Sequence, residues 1–331
     1  MFPIFMPAFL SPDFAAASSP ASAQAEAFAA CIRTRIQSKD IPAVDPALSI
    51  LCTEQTAGEI LILDPHADWS QPEAVQHRWS PSTAPEIPDA HRNWFGTPSE
   101  CKPLADHRHA LVTDSNGGIA RVDMIAQQAV FHAFIGGNPH SADQLPDGSI
   151  AIASSSGNTV TLIPACQTQK INPEPTGFFS TSLKDAHGVV WDDKRQMLWA
   201  IGLESLVGYT YHFNNGAPQL QRHLEFDLPA FARHGHDLIA VPGTDFLIAT
   251  GIGVSVFDRE RHVFVLISDM RSLKSISLTG SDENCAIITQ KPTTQWWSDH
   301  ICFLNSSLTP AGQRPGARFY KGRWWQLEPS L

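Results

Sequence analysis

No run in the 331-residue sequence approaches the ~18–20 apolar residues that a membrane span requires. Charged residues are scarce at 17%, which argues against a coiled coil or an extended disordered chain. Cations are the scarcer sign. Lys and Arg number 23 against 33 Asp and Glu, a formal charge of -10, so nucleic-acid backbones and anionic membrane surfaces are poor partners. The six cysteines form no CxxC and no Cys/His spacing of the zinc type. There is no GxSxG elbow, no P-loop, no GxGxxG after a strand and no EF-hand loop, so no nucleotide cofactor is expected. Alternation of strands and helices is also lacking, which excludes a doubly wound parallel sheet.

What the chain does have is turn residues, with 25 Pro and 21 Gly, and an unusual nine Trp against three Tyr. Trp serves cores and sugar-binding surfaces alike. Residues 1–25 read as a secretory leader or as a segment without fixed structure. Apolar MFPIFMPAFL is followed by small residues that fit a cleavage site, but the basic start is missing. Residues 22–45 read as a helix and linker, with Ala25, Phe28, Ala29, Ile32 and Ile36 at helical spacing. The Asn305-Ser306-Ser307 sequon and the leader lean toward a secreted, extracellular protein. Cys285 and Cys302 sit inside apolar strand patterns and read as buried thiols.

From residue 46 to 326 the pattern is short strands divided by turns, and it repeats. The stretches that begin at His140, His187, His236 and Lys274 each carry a strand, a tight turn, a second strand, a polar turn and a third strand. A looser fourth strand follows, as in AVFHAFIG, LQRHLEFD and HVFVLIS. Units of roughly 40–50 residues with four strands each are the signature of a β-propeller. The reading is all-β: a six-bladed β-propeller of four-stranded blades behind a short N-terminal helix. Second strands should begin near Leu48, Ala110, Ile150, Met197, Phe246 and Ala286. The C-terminal ARFYKGRWW supplies the innermost strand of the first blade and closes the ring, which removes an exposed edge. Seven blades is the alternative, and it needs the Pro-rich residues 80–104 to hide another blade rather than a long loop.

The start of each innermost strand faces the central channel, so residues there converge. Those positions hold His140, His187 and His236, with Lys274 next and Arg323 after it across the closure. Two chemistries follow. Neutral imidazoles, with Asp237, can bind a divalent metal such as Mn, Zn or Ca. Alternatively His236, His187 or His140 is a general base while Lys274 and Arg323 hold an anionic group. Gln55, Trp94, Trp296 and Trp297 fall in loops expected at the same mouth, where indoles stack on sugar rings.

The His-(Ser/Gly)…Pro-Asp-Gly units, the ILILDPHADW stretch and the terminal FYKGRWW resemble a group of bacterial and fungal six-bladed propellers linked with carbohydrate breakdown. The His arrangement is also similar to the oligogalacturonate lyases, which hold a metal with His and Gln. The chain departs from those in length and blade count, so the resemblance implies only a His cluster at the mouth. Together these point to a monomeric lyase that cleaves an acidic, uronate-containing saccharide by β-elimination, or that takes another small anionic ligand. The alternatives are a non-catalytic sugar- or protein-binding propeller and a small-molecule propeller enzyme of the lactonase or secondary-metabolism type.

Overall fold

A computed structural model describes residues 22–168, 178–282 and 284–326. The leader expected over residues 1–25 lies almost wholly outside them. Six four-stranded antiparallel sheets make the six blades, and residues 80–104 hold no seventh. That stretch contains a 3-10 turn (Asp89–Trp94) and then the innermost strand of blade 2. Second strands begin at Leu48, His109, Ile150, Met197, Phe246 and Ile287.

Blade 1 mixes both ends of the chain. Its innermost strand, Phe319–Gln326, pairs antiparallel with Leu48–Glu54, in register at Leu48↔Gln326 and Ile50↔Trp324. The innermost strands of blades 2 to 6 are Pro98–Pro103, Pro139–Gln144, Gly188–Asp192, Asp237–Ala240 and Ser275–Leu278.

The core lies between neighbouring blades, which explains why so many strands are apolar at consecutive positions. Along Leu48–Glu54, Leu51 packs with Cys101, Val112 and Val122 of blade 2. Its neighbours Ile50 and Cys52 pack the other way, with Ile288, Ile301 and Phe303 of blade 6. A strand buried on both faces has no solvent side on which to alternate. The ILILDPHADW stretch is part of this core: Trp69 is buried and its Nε1–H donates to the Asp64 carbonyl at 2.8 Å.

Innermost strands of adjacent blades are too far from a common sheet to exchange backbone ladders, and side chains bridge them instead. The Ser277 and Ser275 hydroxyls accept the Trp324 and Gly322 N–H groups, both at 3.0 Å. Asp143 accepts the Trp191 N–H at 2.9 Å. Each bridge satisfies a buried donor that has no strand partner.

The helix, Ser22–Gln37, seats on blades 5 and 6. Phe28 stacks on Phe246 at 4.8 Å, and Arg33 Nε donates to the Leu266 carbonyl at 3.1 Å. Cys52, Cys101, Cys285 and Cys302 are buried thiols, and burial pushes Cys285 up to about 11 and Cys302 up to about 12. Among the described residues no helix is long and apolar enough to cross a membrane.

Candidate functional site at the upper end of the channel

The end where the innermost strands begin brings His140, His187 and His236 together. The His140 and His187 rings stack at 4.5 Å, and His187 meets His236 edge-on at 4.8 Å. Local backbone sets this up. Asp185 takes a left-handed conformation, φ 51°, and its carbonyl lies 3.0 Å from His187 Nδ1. Gly188 follows, and a Cβ there would fall 2.7 Å from Leu238 Cβ, so only glycine lets blades 4 and 5 approach this closely. His140 Nδ1 lies 3.3 Å from the Tyr320 hydroxyl. His236 Nε2 lies 3.0 Å from Lys274 Nζ.

Electrostatics keep this end neutral in its imidazoles. Burial, and then Lys274, hold His236 down at about 2. Burial, with His187 and Lys321 beside it, holds His140 well below the usual range, and burial lowers His187 as well. Burial and Lys321 bring Lys274 down to about 8. Among the described residues no set of three or more His, Cys, Asp or Glu side chains is grouped to hold a metal ion.

One level deeper, the channel is filled by four buried charges. Lys321 and Arg323 from the closing strand face Glu100 of blade 2 and Asp237 of blade 5. Arg323 Nη2 lies 2.7 Å from both Glu100 Oε2 and Asp237 Oδ1, and Arg323 Nη1 lies 2.6 Å from Asp237 Oδ2. Lys321 Nζ reaches Glu100 at 3.1 Å and Asp237 at 3.2 Å. Against the cost of burial, Arg323 and then Lys321 hold both carboxyls below the ordinary range. By its place in the repeat, Arg323 is expected level with Lys274 as a contact for substrate. It lies in mid-strand instead, 3% exposed, with its guanidinium committed to two carboxylates. Asp237, offered as a metal ligand, is committed to the same ion pairs and to the Ile276 N–H.

The remaining expected residues divide between two places. Gln55 and Trp296 meet at the upper face, where Trp296 Nε1 donates to Gln55 Oε1 at 3.0 Å and Trp296 is 46% exposed. Trp297 lies beside them under Arg318, whose guanidinium sits 5.0 Å from the ring centre. Trp94 is elsewhere. It stacks on His91 at 4.0 Å and packs near His132 and Phe134, on the outermost strand of blade 2. Sequence reasoning passed over Glu100, Lys321, Tyr320 and Arg318. The alternation Tyr-Lys-Gly-Arg in the closing strand carried the one available signal: a strand with two cations at i and i+2 presents both to the same face.

A cavity of about 870 Å³ opens at the opposite, lower end, beyond the buried charges.

The sequence matches one family over residues 28–328. The chain belongs to DUF6528, a family of unknown function. No curated protein matches it. Two solved structures similar to this DUF6528 chain are the dihydro-heme d1 dehydrogenase NirN in complex with DHE and the Kuenenia stuttgartiensis hydrazine synthase. The first is 12% identical with a TM-score of 0.44, covering 81% of this chain and 53% of that one. The second is 11% identical with a TM-score of 0.43, covering 62% of this chain and 61% of that one. The DUF6528 chain thus spans between half and two thirds of the length of either.

The neutral imidazoles have a consequence for stability. Below pH ~6.5 an unfolded histidine binds a proton, while His236, held at about 2 in the fold, does not, and burial shifts His140 and His187 in the same direction. His132, held at about 4 by burial and His91, behaves alike. Their contribution is complete above pH ~6.5 and is lost as pH falls toward their folded values. Between pH 6.5 and 5 the loss is about 2 kcal/mol for each histidine that stays neutral. Asp114, which burial raises to about 6, works in the opposite sense and offsets part of it. Urea unfolding at pH 7.5 and 5.0 should therefore show a clear drop in midpoint, smaller in His132→Phe. Equal midpoints at the two values would show that the histidines titrate normally.

Proposed function

We propose that the protein is a lyase that cleaves an acidic, uronate-containing saccharide by β-elimination at the upper end of its channel. Lys274 carries this reading. Lys102, Lys321 and Arg323, the other cations of the channel, each face a carboxylate within ion-pair distance. Lys274 instead faces an imidazole, with no carboxylate partner among the described residues. A mostly buried ammonium with no ion pair, and only Asp185 as a more distant negative charge, invites an anion, and the surrounding negative protein repels one elsewhere.

The same residue suits the chemistry. An amine near pKa 8 is a workable base at neutral pH, whereas an imidazole near 2 is too weak. Lys274, as the neutral amine, takes the proton beside the substrate carboxylate; the electron pair of that C–H bond becomes the carbon–carbon double bond, and the glycosidic oxygen on the next carbon leaves with the C–O pair and takes a proton from water. His140, with its Nδ1 accepting from the Tyr320 hydroxyl, donates its Nε2–H to the carboxylate, which lowers the pKa of the proton removed, while His187 and His236 stay turned to the Asp185 carbonyl and to Lys274. Exposed Trp296 and the Arg318–Trp297 pair suit neighbouring sugar rings and their acids.

The product has an ultraviolet-absorbing unsaturated uronate, so turnover on pectic, glucuronan and gum-type substrates is read directly. Activity should rise with pH through about 8, as the amine loses its proton. Lys274→Met should reduce kcat by about 10²–10⁴-fold with the fold intact. His236→Ala should weaken binding. Activity that EDTA abolishes and Mn, Zn or Ca restores would assign the imidazoles to a metal instead. Saturable saccharide binding without turnover would make the propeller a binding module read by Trp296. No binding and no absorbance on any uronate would end the lyase reading.

A further inference from the structure

We infer that the lower end of the channel is a second and separate binding site, for an uncharged, largely apolar small molecule that carries a carbonyl or hydroxyl oxygen. This goes beyond the anion site proposed at the upper end and does not depend on it. At about 870 Å³ the cavity lies within the range of small-molecule sites, roughly 300–1,000 Å³. Its apolar walls include Leu104, Trp191, Ile239, Pro242 and Leu278, drawn from blades 2, 4, 5 and 6.

Charge defines what it excludes. Four charged side chains line the cavity, and each is already matched. Arg323 is held by Glu100 and Asp237. Lys102 Nζ donates to the Val189 carbonyl and lies 3.6 Å from Asp143. Asp143 also takes the Trp191 N–H. Asp106, at the exposed rim, pairs with the His109 ring at 2.7 Å. A charged ligand would have to enter without a counter-ion, at the desolvation cost of its own charge. Ser277 and Gln144 are among the lining groups that retain donors. Ser277 accepts the Trp324 N–H, which leaves its own O–H, and Gln144 uses its carbonyl on Arg121, which leaves its amide N–H₂. Both suit an acceptor oxygen on the ligand.

Four buried charged side chains lie between the two ends. Glu100, Asp237 and Lys321 are fully buried and Arg323 nearly so, and they stand between the histidines and the cavity. A ligand at the lower end is therefore separated from Lys274 and His236 by these ion pairs.

The probe is the fluorescent aromatic ketone 6-propionyl-2-(dimethylamino)naphthalene, added to the full-length protein. Saturable binding with a blue-shifted emission is expected. The ketone 2-acetylnaphthalene should displace it, while 2-naphthoate, of similar shape but charged, should be about tenfold weaker or worse. Ile239→Trp, which fills the cavity, should weaken binding by about tenfold or more. Should that variant not fold, Gln144→Leu should narrow the preference for 2-acetylnaphthalene over 2-ethylnaphthalene. His236→Ala and Lys274→Met should leave the probe's affinity unchanged. The inference is overturned by absence of saturable binding, by 2-naphthoate competing as well as the ketone, or by probe binding that follows the upper-end variants.

Discussion

Replacing Arg323 with Met is expected to destabilise the protein by about 3–5 kcal/mol. The four channel charges balance as two carboxylates and two cations, all nearly sealed from water. Removing the guanidinium leaves Glu100 and Asp237 to share Lys321, with one negative charge buried and uncompensated. Burial would then push one carboxyl to bind a proton, so the loss should shrink as pH is lowered and that proton is supplied. Replacing Arg323 and Asp237 together, with Met and Leu, should recover much of the loss, because it removes charges in a matched pair. Urea unfolding of the two variants provides the comparison. An Arg323→Met protein as stable as the parent, but defective in binding a uronate, would return Arg323 to the role of a ligand contact.

Deleting residues 317–331 should abolish the cooperative unfolding transition altogether. The deletion removes the strand Phe319–Gln326, exposes the unpaired edge of Leu48–Glu54, and takes away Lys321 and Arg323. The remaining Glu100 and Asp237 would face each other in a dry channel without their ion-pair partners. Each of these losses is large beside a net stability of about 5–15 kcal/mol. Aggregated or protease-sensitive protein, without a sigmoidal urea curve, is the expected result. A soluble truncated chain with a sharp transition would show that five blades and a partial sixth hold together without closure.

Blade number and the closing strand were legible in the sequence because both rest on local signals. Turn residues between apolar runs mark strands, their repeat marks blades, and the unmatched FYKGRWW marks the missing partner of Leu48–Glu54. The helix was legible for the same reason, since Ala25, Phe28, Ala29, Ile32 and Ile36 form one stripe whatever they pack on. The gathering of His140, His187 and His236 was legible too, because equal positions in a repeat are placed by rotation about one axis.

Depth along that axis was decided only by the tertiary structure. Position in a repeat says which side chains face the channel, but a strand drops by about 3.3 Å per residue, and one or two residues separate a mouth from a plug. So Arg323 and Lys274 look equivalent in the sequence, yet one is locked between two carboxylates and the other faces an imidazole. Glu100 was hidden for a related reason: it lies in a Pro-rich stretch, and its partners Lys321 and Arg323 are more than two hundred residues away. Trp94 had the right residue type and the wrong radius, because a loop before a strand can lie over a blade's outer edge as easily as over the channel. Local chemistry fixes strands and their order. Which charges meet depends on six blades closing into a ring, and no short stretch of sequence contains that distance.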